Sequence, residues 1–397
     1  MPFPLYMLAL AVFAMGTSEF MLAGLLPDIA SDLDVTVGTA GLLTSAFALG
    51  MIVGAPLMAA LARNWPTRSS LFGFVLVFLS AHAAGAATSD FRLLCATRVV
   101  AALANAGFLA VALTTAATLV PAGKQGRALA LLLSGTTMAT IAGVPGGSVL
   151  GTVLGWRATF WALAALCLPA AAGILTGLPA HRGQHKEAAD GHCLRADGRS
   201  LRAELAQLKS RRLLWVMLLG ALVNAATFAG FTFLAPVVTG TAGLGDLWVS
   251  VALMLFGAGS FAGVTVAGRL SDRRPDLVIA VTGPLLLIGW PSLAVLAHQP
   301  AALFPLVFVQ GALSFALGST LITRVLYEAA AAPTMAGSYA TAALNAGAAG
   351  GPLVAATTLG TAAGTLGPLW VSGLLIAVTL PATLPLRAAP TSNRTGA

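Results

Sequence analysis

Stretches of mainly apolar residues alternate with short polar joints along nearly the whole chain. A helix needs about 20 apolar residues to cross a bilayer. The pattern therefore predicts twelve membrane-spanning helices, an all-α membrane protein in which the tenth and eleventh spans are the least distinct. We place them at 5–26, 38–61, 70–88, 93–119, 128–154, 159–178, 213–237, 247–268, 276–297, 301–323, 336–359 and 364–386.

The first apolar stretch is expected to be a permanent span and not a cleaved signal peptide. A secretory signal begins with a basic region. Here no Lys or Arg precedes Arg63, and Glu19 lies inside the apolar stretch.

One longer polar stretch divides the spans into two sets of six. We expect an N-terminal bundle over 1–178, a cytoplasmic linker over 179–212, and a C-terminal bundle over 213–397 with a short cytoplasmic tail. The end of the linker, 200–209, spaces leucines on one helical face and can form an amphipathic surface helix. The segments 59–68 and 268–274 look like copies, and so do Pro145-Gly-Gly and Gly350-Gly-Pro352. Repeated halves around a central site are typical of secondary transporters.

The distribution of Lys and Arg predicts the orientation. Placing the N-terminus inside assigns nearly all basic residues to the inner joints, the linker and the tail. Only Arg92, Arg98 and Arg157 fall elsewhere, and the first outer joint carries Asp28, Asp32 and Asp34. Basic residues favour the cytoplasmic side, so both termini are expected in the cytoplasm of a bacterial cell, with the chain in its inner membrane.

Composition agrees with a membrane protein and excludes several other classes. The chain is 58% hydrophobic and 9% charged, whereas a soluble domain carries about 25% charged residues. The net charge of +8 lies in short clusters without interleaved aromatic residues, so no nucleic-acid partner is predicted. Three isolated cysteines form no disulfide framework. His181, His185, His192 and Cys193 lack paired-ligand order, so we expect a solvated linker and neither a metal site nor a cofactor.

Glu19 is the only carboxylate well inside a predicted span. An ionised carboxylate at mid-bilayer costs at least about 2.5–3.5 kcal/mol. A cavity, a positive partner or protonation must offset that cost, and a proton-coupled carrier needs such a group. The alternative is a structural Glu held near the outer interface by local hydrogen bonds.

Arg98 is the matching cation, in the first turns of the fourth span. It can bind Glu19 directly or relay protonation through Asn105 and Thr114 further along the same span. The structural alternative is a guanidinium that binds loose carbonyls between helices. His82 and Asn224 are weaker candidates, because a single polar side chain in an apolar span is more often packed than functional.

The fifth span, from Gly135 to Gly155, is rich in small residues and contains Pro145. Small residues let helices approach closely, and proline removes a backbone hydrogen bond. We expect a helix that packs tightly and bends as the carrier changes access, although packing alone would also explain the composition.

The motifs together resemble one branch of the major facilitator superfamily, the drug:proton antiporters, and most of all its actinobacterial chloramphenicol resistance exporters. The segment from Thr17 to Ala30 looks like the opening signature of that branch. Arg98 matches the arginine of motif B, and the segments 143–147 and 155–160 are similar to antiporter motif C and the joint behind it. The likeness extends over nearly the whole chain. It implies two pseudo-symmetric six-helix bundles around a central cavity.

The loop motif of that superfamily, motif A, departs from its usual form in the first half. Arg63 stands where an aspartate is usual and Ala59 where a glycine is usual, whereas the second-half copy keeps Gly268 and Asp272. This departure implies that the conformational role of the loop is either lost in the first half or redistributed to the loop after the eighth span. The other conformational residues that the resemblance implies are Gly143, Pro145, Gly146 and Gly147.

The resulting expectation is a monomeric, proton-coupled exporter of chloramphenicol-like antibiotics, with no enzymatic activity. Glu19 and Arg98 are assigned to proton coupling. The expected lining of the drug site is Phe13, Phe20, Asn105, Phe108, Asn224, Phe228, Phe231 and Tyr339. Export of a sugar or another metabolite is the alternative within transport. A membrane enzyme would need clustered His, Asp or Glu, and the spans contain no pair at ligand spacing.

Overall fold

The computed structural model describes residues 1–61, 65–178, 204, 206–271, 275–332 and 335–382, and within them every regular element is helical. Twelve long helices follow one another in chain order. They are α1 Phe3–Phe20, α2 Leu42–Leu61, α3 Thr67–Ala87, α4 Phe91–Thr118, α5 Gln125–Leu154, α6 Trp156–Gly177, α7 Arg211–Thr232, α8 Leu247–Ser271, α9 Pro275–Leu296, α10 Pro300–Glu328, α11 Ala336–Ala356 and α12 Gly367–Ala382.

Eleven stretches of the described chain are long and apolar enough to cross a membrane. The stretch that falls short is α11, whose glycines, Ser338 and Asn345 lower its mean hydropathy. This helix packs against α2 and α7, so much of its surface contacts protein and not lipid. The predicted all-α membrane fold is confirmed, and each predicted span corresponds to one of the twelve helices.

The helix contacts repeat between the two halves. In the first half α1 packs on α5 and α6, α3 packs on α4 and α6, and α2 packs on α4. In the second half α7 packs on α11 and α12, α9 on α10 and α12, and α8 on α10. The two halves thus correspond helix by helix, α1–α6 with α7–α12. This correspondence also exchanges the two main contacts between the halves, α2 with α11 and α5 with α8. The arrangement is therefore two pseudo-symmetric six-helix bundles.

The segment between the bundles is described only in part. The predicted boundaries at 178 and 212 remain predictions, although α6 ends at Gly177 and α7 begins at Arg211. The predicted surface helix over 200–209 lies largely outside the described residues. Its described portion is a short 3-10 helix, Ala206–Lys209.

Glu204 attaches this segment to the start of α11. Its carboxylate accepts a hydrogen bond from the amide of Met335 at 3.1 Å. Its carbonyl accepts another from the hydroxyl of Tyr339 at 2.9 Å. Glu204 is only 5% exposed, so the end of the linker is packed into the second bundle.

The helix α5 changes its winding near its middle, as the fifth-span composition suggested. It runs as α-helix to Met138, widens to a π-helical turn over Ala139–Gly143, and resumes as α-helix at Val144. Pro145 follows directly and has no amide hydrogen to donate back along the helix. The wider turn and the proline therefore coincide, which is a recognised cause of local distortion in helices.

The two bundles touch between α5 and α8 and along α2 and α11, where the Ser338 hydroxyl donates to the Ala55 carbonyl at 3.2 Å, and they meet again at one face. We call the face at which α1 begins the amino-terminal face and the other the opposite face. At mid-depth α5 and α8 meet backbone to backbone, where a Cβ added at Gly257 would lie 2.2 Å from the carbonyl oxygen of Thr140. Nearer the opposite face, Gly24 lies against Ser148 and Leu253. Between this closure and the amino-terminal face the helices leave a cavity.

Candidate functional site

The cavity has a volume of about 880 Å³ and reaches the amino-terminal face, where α2 and α4 end and α3 and α11 begin. Its walls come from α2, α4 and α5 of the first bundle and α11 of the second. The lining residues are Met51, Ala55, Met58, Ala59, Trp65, Thr67, Ala106, Leu109, Ala110, Val111, Leu113, Thr114, Thr118, Leu133, Thr136, Gly337, Ser338 and Thr341.

The described lining contains no charged and no amide side chain. Its polar groups are hydroxyls from five threonines and one serine, and the remainder is aliphatic apart from two Met thioethers and the Trp65 indole. Pockets for small molecules are typically apolar with a few polar groups that orient the ligand. This wall can therefore hold a neutral molecule that carries both apolar surface and hydrogen-bonding groups.

Arg98 lies deeper in the first bundle and binds Ser18 of α1. Its Nη1 donates to the Ser18 hydroxyl oxygen and its Nη2 to the Ser18 carbonyl oxygen, each at 2.7 Å. The guanidinium also lies 4.5 Å from the ring centroid of Phe47, where a cation is attracted to the face of the ring. The side chain is 1% exposed, so the hydrogen bonds to Ser18 stabilise a fully buried charge.

His82 of α3 completes this network. Its Nδ1 lies 2.8 Å from the carbonyl oxygen of Phe78, which can only accept, so Nδ1 carries the proton. Its Nε2 lies 2.7 Å from the Ser18 hydroxyl oxygen and therefore accepts the hydroxyl proton. Ser18 thus accepts from Arg98 and donates to His82, which uses its one donor proton and one of its two lone pairs.

Glu19 follows Ser18 and is half-buried at the end of α1. It is close enough to Arg98 for the two charges to interact. Among the described residues, however, no hydrogen bond or ion pair joins them. Of the two routes expected from the sequence, direct binding of Arg98 to Glu19 is thus absent in this conformation.

Aromatic residues close the space above the cavity between the bundles. The Phe20 ring lies 5.8 Å from that of Phe228 and 6.1 Å from that of Phe231. Phe231 in turn lies 4.7 Å from Phe256. Phe20, Phe228 and Phe231, expected to line the drug site, form this cluster and do not line the open cavity.

The other expected lining residues also lie behind the cavity wall. Phe108 is fully buried in the first bundle. Asn105 donates to the thioether of Met51 at 3.7 Å, and Asn224 donates to the carbonyl of Leu344 at 2.7 Å.

Phe13 is partly buried and is not among the lining residues. Tyr339 is 3% exposed, and its hydroxyl is bound to Glu204. On α11 the cavity is lined by Ser338 and Thr341 and not by Tyr339, and the expected drug-site residues remain a prediction.

The expected conformational residues lie mainly on α5. Gly143 leaves room for the Thr17 hydroxyl, which would lie 2.0 Å from an added Cβ. Gly147 lies against Thr159, whereas Gly146 has open space beside it, so only one of this glycine pair is required by packing. Gly268 is exposed with nothing near it, and Arg63 and Asp272 lie outside the described residues.

Charged residues at the opposite face lie close to the contact between the bundles. Asp32 forms an ion pair with Arg157 and accepts from the indole of Trp156 at 3.2 Å. The short helix that contains Asp28 contacts Leu234–Pro236 of the second half. Partial burial, and then the negative charge of Asp246, raise the pKa of the Asp28 carboxyl above its ordinary value. The closure at this face therefore brings like charges together.

Sequence reasoning missed Ser18 and most of the cavity wall. Ser18 is a single small polar residue beside Glu19, and only its distances to Arg98 and His82 reveal its role. The wall residues Met51, Thr136 and Thr341 occur in helices that are apolar on all sides, so no periodicity marks the inward face. In the described part of the chain, no group of His, Cys, Asp and Glu could hold a metal ion.

Two six-helix bundles around a cavity that is open at one face and closed at the other define a membrane transport protein of the alternating-access type. The chain belongs to the Major Facilitator Superfamily, whose family model matches residues 8–352.

Curated relatives extend over nearly the same length. The chain is 76% identical over 387 residues to a chloramphenicol resistance protein of Streptomyces lividans, covering 98% of this chain and 97% of that one. It is 32% identical to the inner membrane transport protein YdhP of Escherichia coli, covering 89% of each chain.

Solved structures share the fold at low sequence identity. A mutant of the nucleoside transporter NupG matches with a TM-score of 0.74 at 12% identity, covering 96% of this chain and 98% of that one. A bacterial homologue of the human lysosomal transporter Spinster matches with a TM-score of 0.66 at 15% identity, covering 98% of this chain and 99% of that one.

Proposed function

We propose that this chain is a proton-coupled exporter of neutral, chloramphenicol-like antibiotics that acts as a monomer in a bacterial cell membrane. The observation that carries the proposal is the cavity, which is large, uncharged over its described lining and open at one face only. The 76% identity to a chloramphenicol resistance protein supports the choice of substrate. Chloramphenicol is itself neutral and combines an aromatic ring with hydroxyl and amide groups.

In the proposed orientation, the amino-terminal face of the protein lies on the cytoplasmic side of the membrane. Lys124, Arg127, Arg269 and Arg324 lie at this face, in agreement with the preference of basic residues for the cytoplasmic side. The cavity then faces the cytoplasm, from which an exporter takes up its substrate.

Proton coupling is assigned to Glu19, with Arg98 as its electrostatic partner. Glu19 is the one acidic side chain in the membrane-spanning part of α1, and the next residue, Phe20, contacts Phe228 and Phe231 of the second bundle. A proton bound there removes a charge at the point where the two bundles separate when access changes. Coupling requires that proton and drug each weaken the binding of the other, and this effect is reciprocal.

Export of a sugar is the alternative, and the cavity lining disfavours it. A sugar has many hydroxyls and little apolar surface, so its site needs several polar groups that both donate and accept. The described lining has six hydroxyls but no Asn, Gln, Asp, Glu, Lys or Arg. Its aliphatic and thioether surface would leave much of a sugar without hydrogen bonds.

The test is expression in a susceptible bacterium followed by tolerance measurements with a panel of antibiotics. We expect raised tolerance to phenicols. Ala110→Phe should abolish it, because the larger side chain fills the cavity. Val100→Phe is the matched control on α4, since Val100 is 41% exposed on the outside of the bundle. Unchanged phenicol tolerance with normal membrane abundance would contradict the proposal, as would equal effects of the two variants.

A further inference from the structure

Arg98 is a buried cation whose observed partners are uncharged. Both of its terminal nitrogens donate to Ser18, at 2.7 Å each, and its Nε has no partner among the described residues. A buried charge without a counter-ion is costly unless hydrogen bonds compensate. The contact with Ser18 therefore determines where the guanidinium lies in this conformation.

The Ser18 hydroxyl is in turn oriented by His82. Because the proton on Nδ1 is bound to the Phe78 carbonyl, Nε2 is free to accept, and it takes the single hydroxyl proton of Ser18. The lone pairs of Ser18 are then directed to Arg98. Without His82 the hydroxyl could rotate to a carbonyl of its own helix, as Thr17 does with Phe13 at 2.8 Å.

Glu19 is a competing partner one residue further along α1. An ionised carboxylate is a stronger acceptor for a guanidinium than a serine hydroxyl. Arg98 therefore has two alternative partners, Ser18 when Glu19 carries a proton and Glu19 when it does not. The more firmly Ser18 binds Arg98, the less the guanidinium favours the ionised form of Glu19.

In the described part of the first bundle, no further charged group lies beside this network. The titratable and charged groups that face the network are Glu19 on α1, His82 on α3, and Cys95 and Arg98 on α4. The helix α2 has no charged residue, and the charged residues of α5 and α6, Arg127 and Arg157, lie at helix ends. The competition between Ser18 and Glu19 is thus confined to this cluster.

We propose that Ser18 and His82 are positioning residues that hold Arg98 away from Glu19 and thereby set the pH at which the transporter exchanges proton for drug. The inference rests on the proposed proton coupling through Glu19. It assigns to His82 a function other than packing between Phe78 and Phe160, whose rings lie 4.1 Å and 5.7 Å away.

The experiment measures binding of radiolabelled chloramphenicol to the purified full-length protein as a function of pH. Ser18→Ala removes the hydroxyl, and His82→Phe keeps an aromatic ring but removes the acceptor. Each variant should move the midpoint of the pH profile by about one pH unit to more acidic values, because Arg98 released from Ser18 favours the ionised form of Glu19. A shift of this size corresponds in free energy to about one charge-assisted hydrogen bond. The double variant should shift no further than either single variant, because both act through one contact.

Two further variants separate positioning from packing. Ser18→Thr retains a hydroxyl and should restore the wild-type midpoint. Thr97→Val, beside Arg98 on α4, removes a hydroxyl that binds only the Leu94 carbonyl in the described structure and should leave the midpoint unchanged. If His82→Phe does not fold, Ser18→Ala decides the question alone.

The outcomes distinguish this inference from the proposed function. Wild-type binding that does not respond to pH, or a Glu19→Gln variant that keeps the full response, would overturn the proton coupling. A normal response in wild type that is lost in Glu19→Gln, together with unchanged midpoints in Ser18→Ala and His82→Phe, would overturn only the positioning role.

Discussion

Gly257→Ala is expected to shift the protein away from the conformation in which the amino-terminal face is open. The added methyl group would lie 2.2 Å from the carbonyl oxygen of Thr140, whereas ordinary contacts begin at 3.4 Å. Gly257 belongs to α8 and Thr140 to α5, so the overlap arises between the two bundles. Separation of the bundles at this point removes the overlap without disturbing either bundle.

The size of the effect follows from the cost of overpacking, about 1–3 kcal/mol. This cost is borne only by the conformation in which α5 and α8 touch. At about 1.4 kcal/mol per tenfold change, the ratio of this conformation to the alternative should fall by about 5- to 140-fold. A protein that samples both conformations would then be found mainly with the opposite face open.

Gly259→Ala is the matched control. Its methyl group would lie 2.1 Å from the carbonyl oxygen of Phe308, an equally severe overlap but within the second bundle. It should lower thermal stability and leave the balance between conformations unchanged. Gly318→Ala in α10, where nothing lies within 4 Å of the added methyl group, should affect neither quantity.

The assay is a distance measurement between pairs of spin labels, combined with thermal unfolding. Val153 and Leu247 are exposed near the opposite face, on different bundles, and Leu61 and Leu270 are exposed near the amino-terminal face. Gly257→Ala should lengthen the first distance and shorten the second. Equal loss of stability in the Gly257 and Gly259 variants, with unchanged distances in both, would refute the reasoning.

Three further predictions concern the linker and the opposite face. Glu204→Ala removes the carboxylate acceptor of the Met335 amide, which keeps its bond to the Ala332 carbonyl at 3.0 Å, and should lower the free energy of unfolding by about 0.5–1.5 kcal/mol; Glu204→Gln should cost less, and equal losses would argue against the contact. The raised pKa of Asp28 means that closure of the opposite face is favoured at acidic pH and weakens as the pH rises through that pKa. Asp246→Asn should reduce this pH dependence, because it removes one of the two causes of the raised pKa of Asp28, and an unchanged profile of melting temperature against pH would exclude the effect. Asp32→Asn should cost less than about 1 kcal/mol and lose its effect in high salt, whereas a larger, salt-independent loss would mean that the ion pair is more than a surface contact.

The fold could be predicted from the sequence because the feature that determines each helix, a run of apolar residues, is visible within the segment itself. A bilayer requires a run of apolar residues of nearly fixed length, and each such run here became one helix. The tenth and eleventh spans were predicted to be the least distinct, and the small and polar residues of the eleventh suit a helix surrounded by protein. Its contacts with α2 and α7 could not be seen in the span itself.

The site could be predicted only where a residue is costly in lipid. Glu19 and Arg98 were recognisable because a charged side chain in an apolar span is costly and is therefore usually paired or functional. Both lie inside the first bundle. The cavity wall could not be predicted, because Thr114 and Thr115 look alike in sequence and only one lines the cavity. The hydrogen bond of the Tyr339 hydroxyl could not be predicted either, because its partner, Glu204, is more than a hundred residues away in the chain.

The most direct test of the account is drug uptake into everted membrane vesicles with an imposed acidic interior. The wild-type protein should accumulate labelled chloramphenicol in the vesicles, and a protonophore should abolish this accumulation. Glu19→Gln should insert normally and still bind the drug but should fail to accumulate it against a gradient. Accumulation by Glu19→Gln at the wild-type rate, and with the same dependence on the proton gradient, would contradict the central claim.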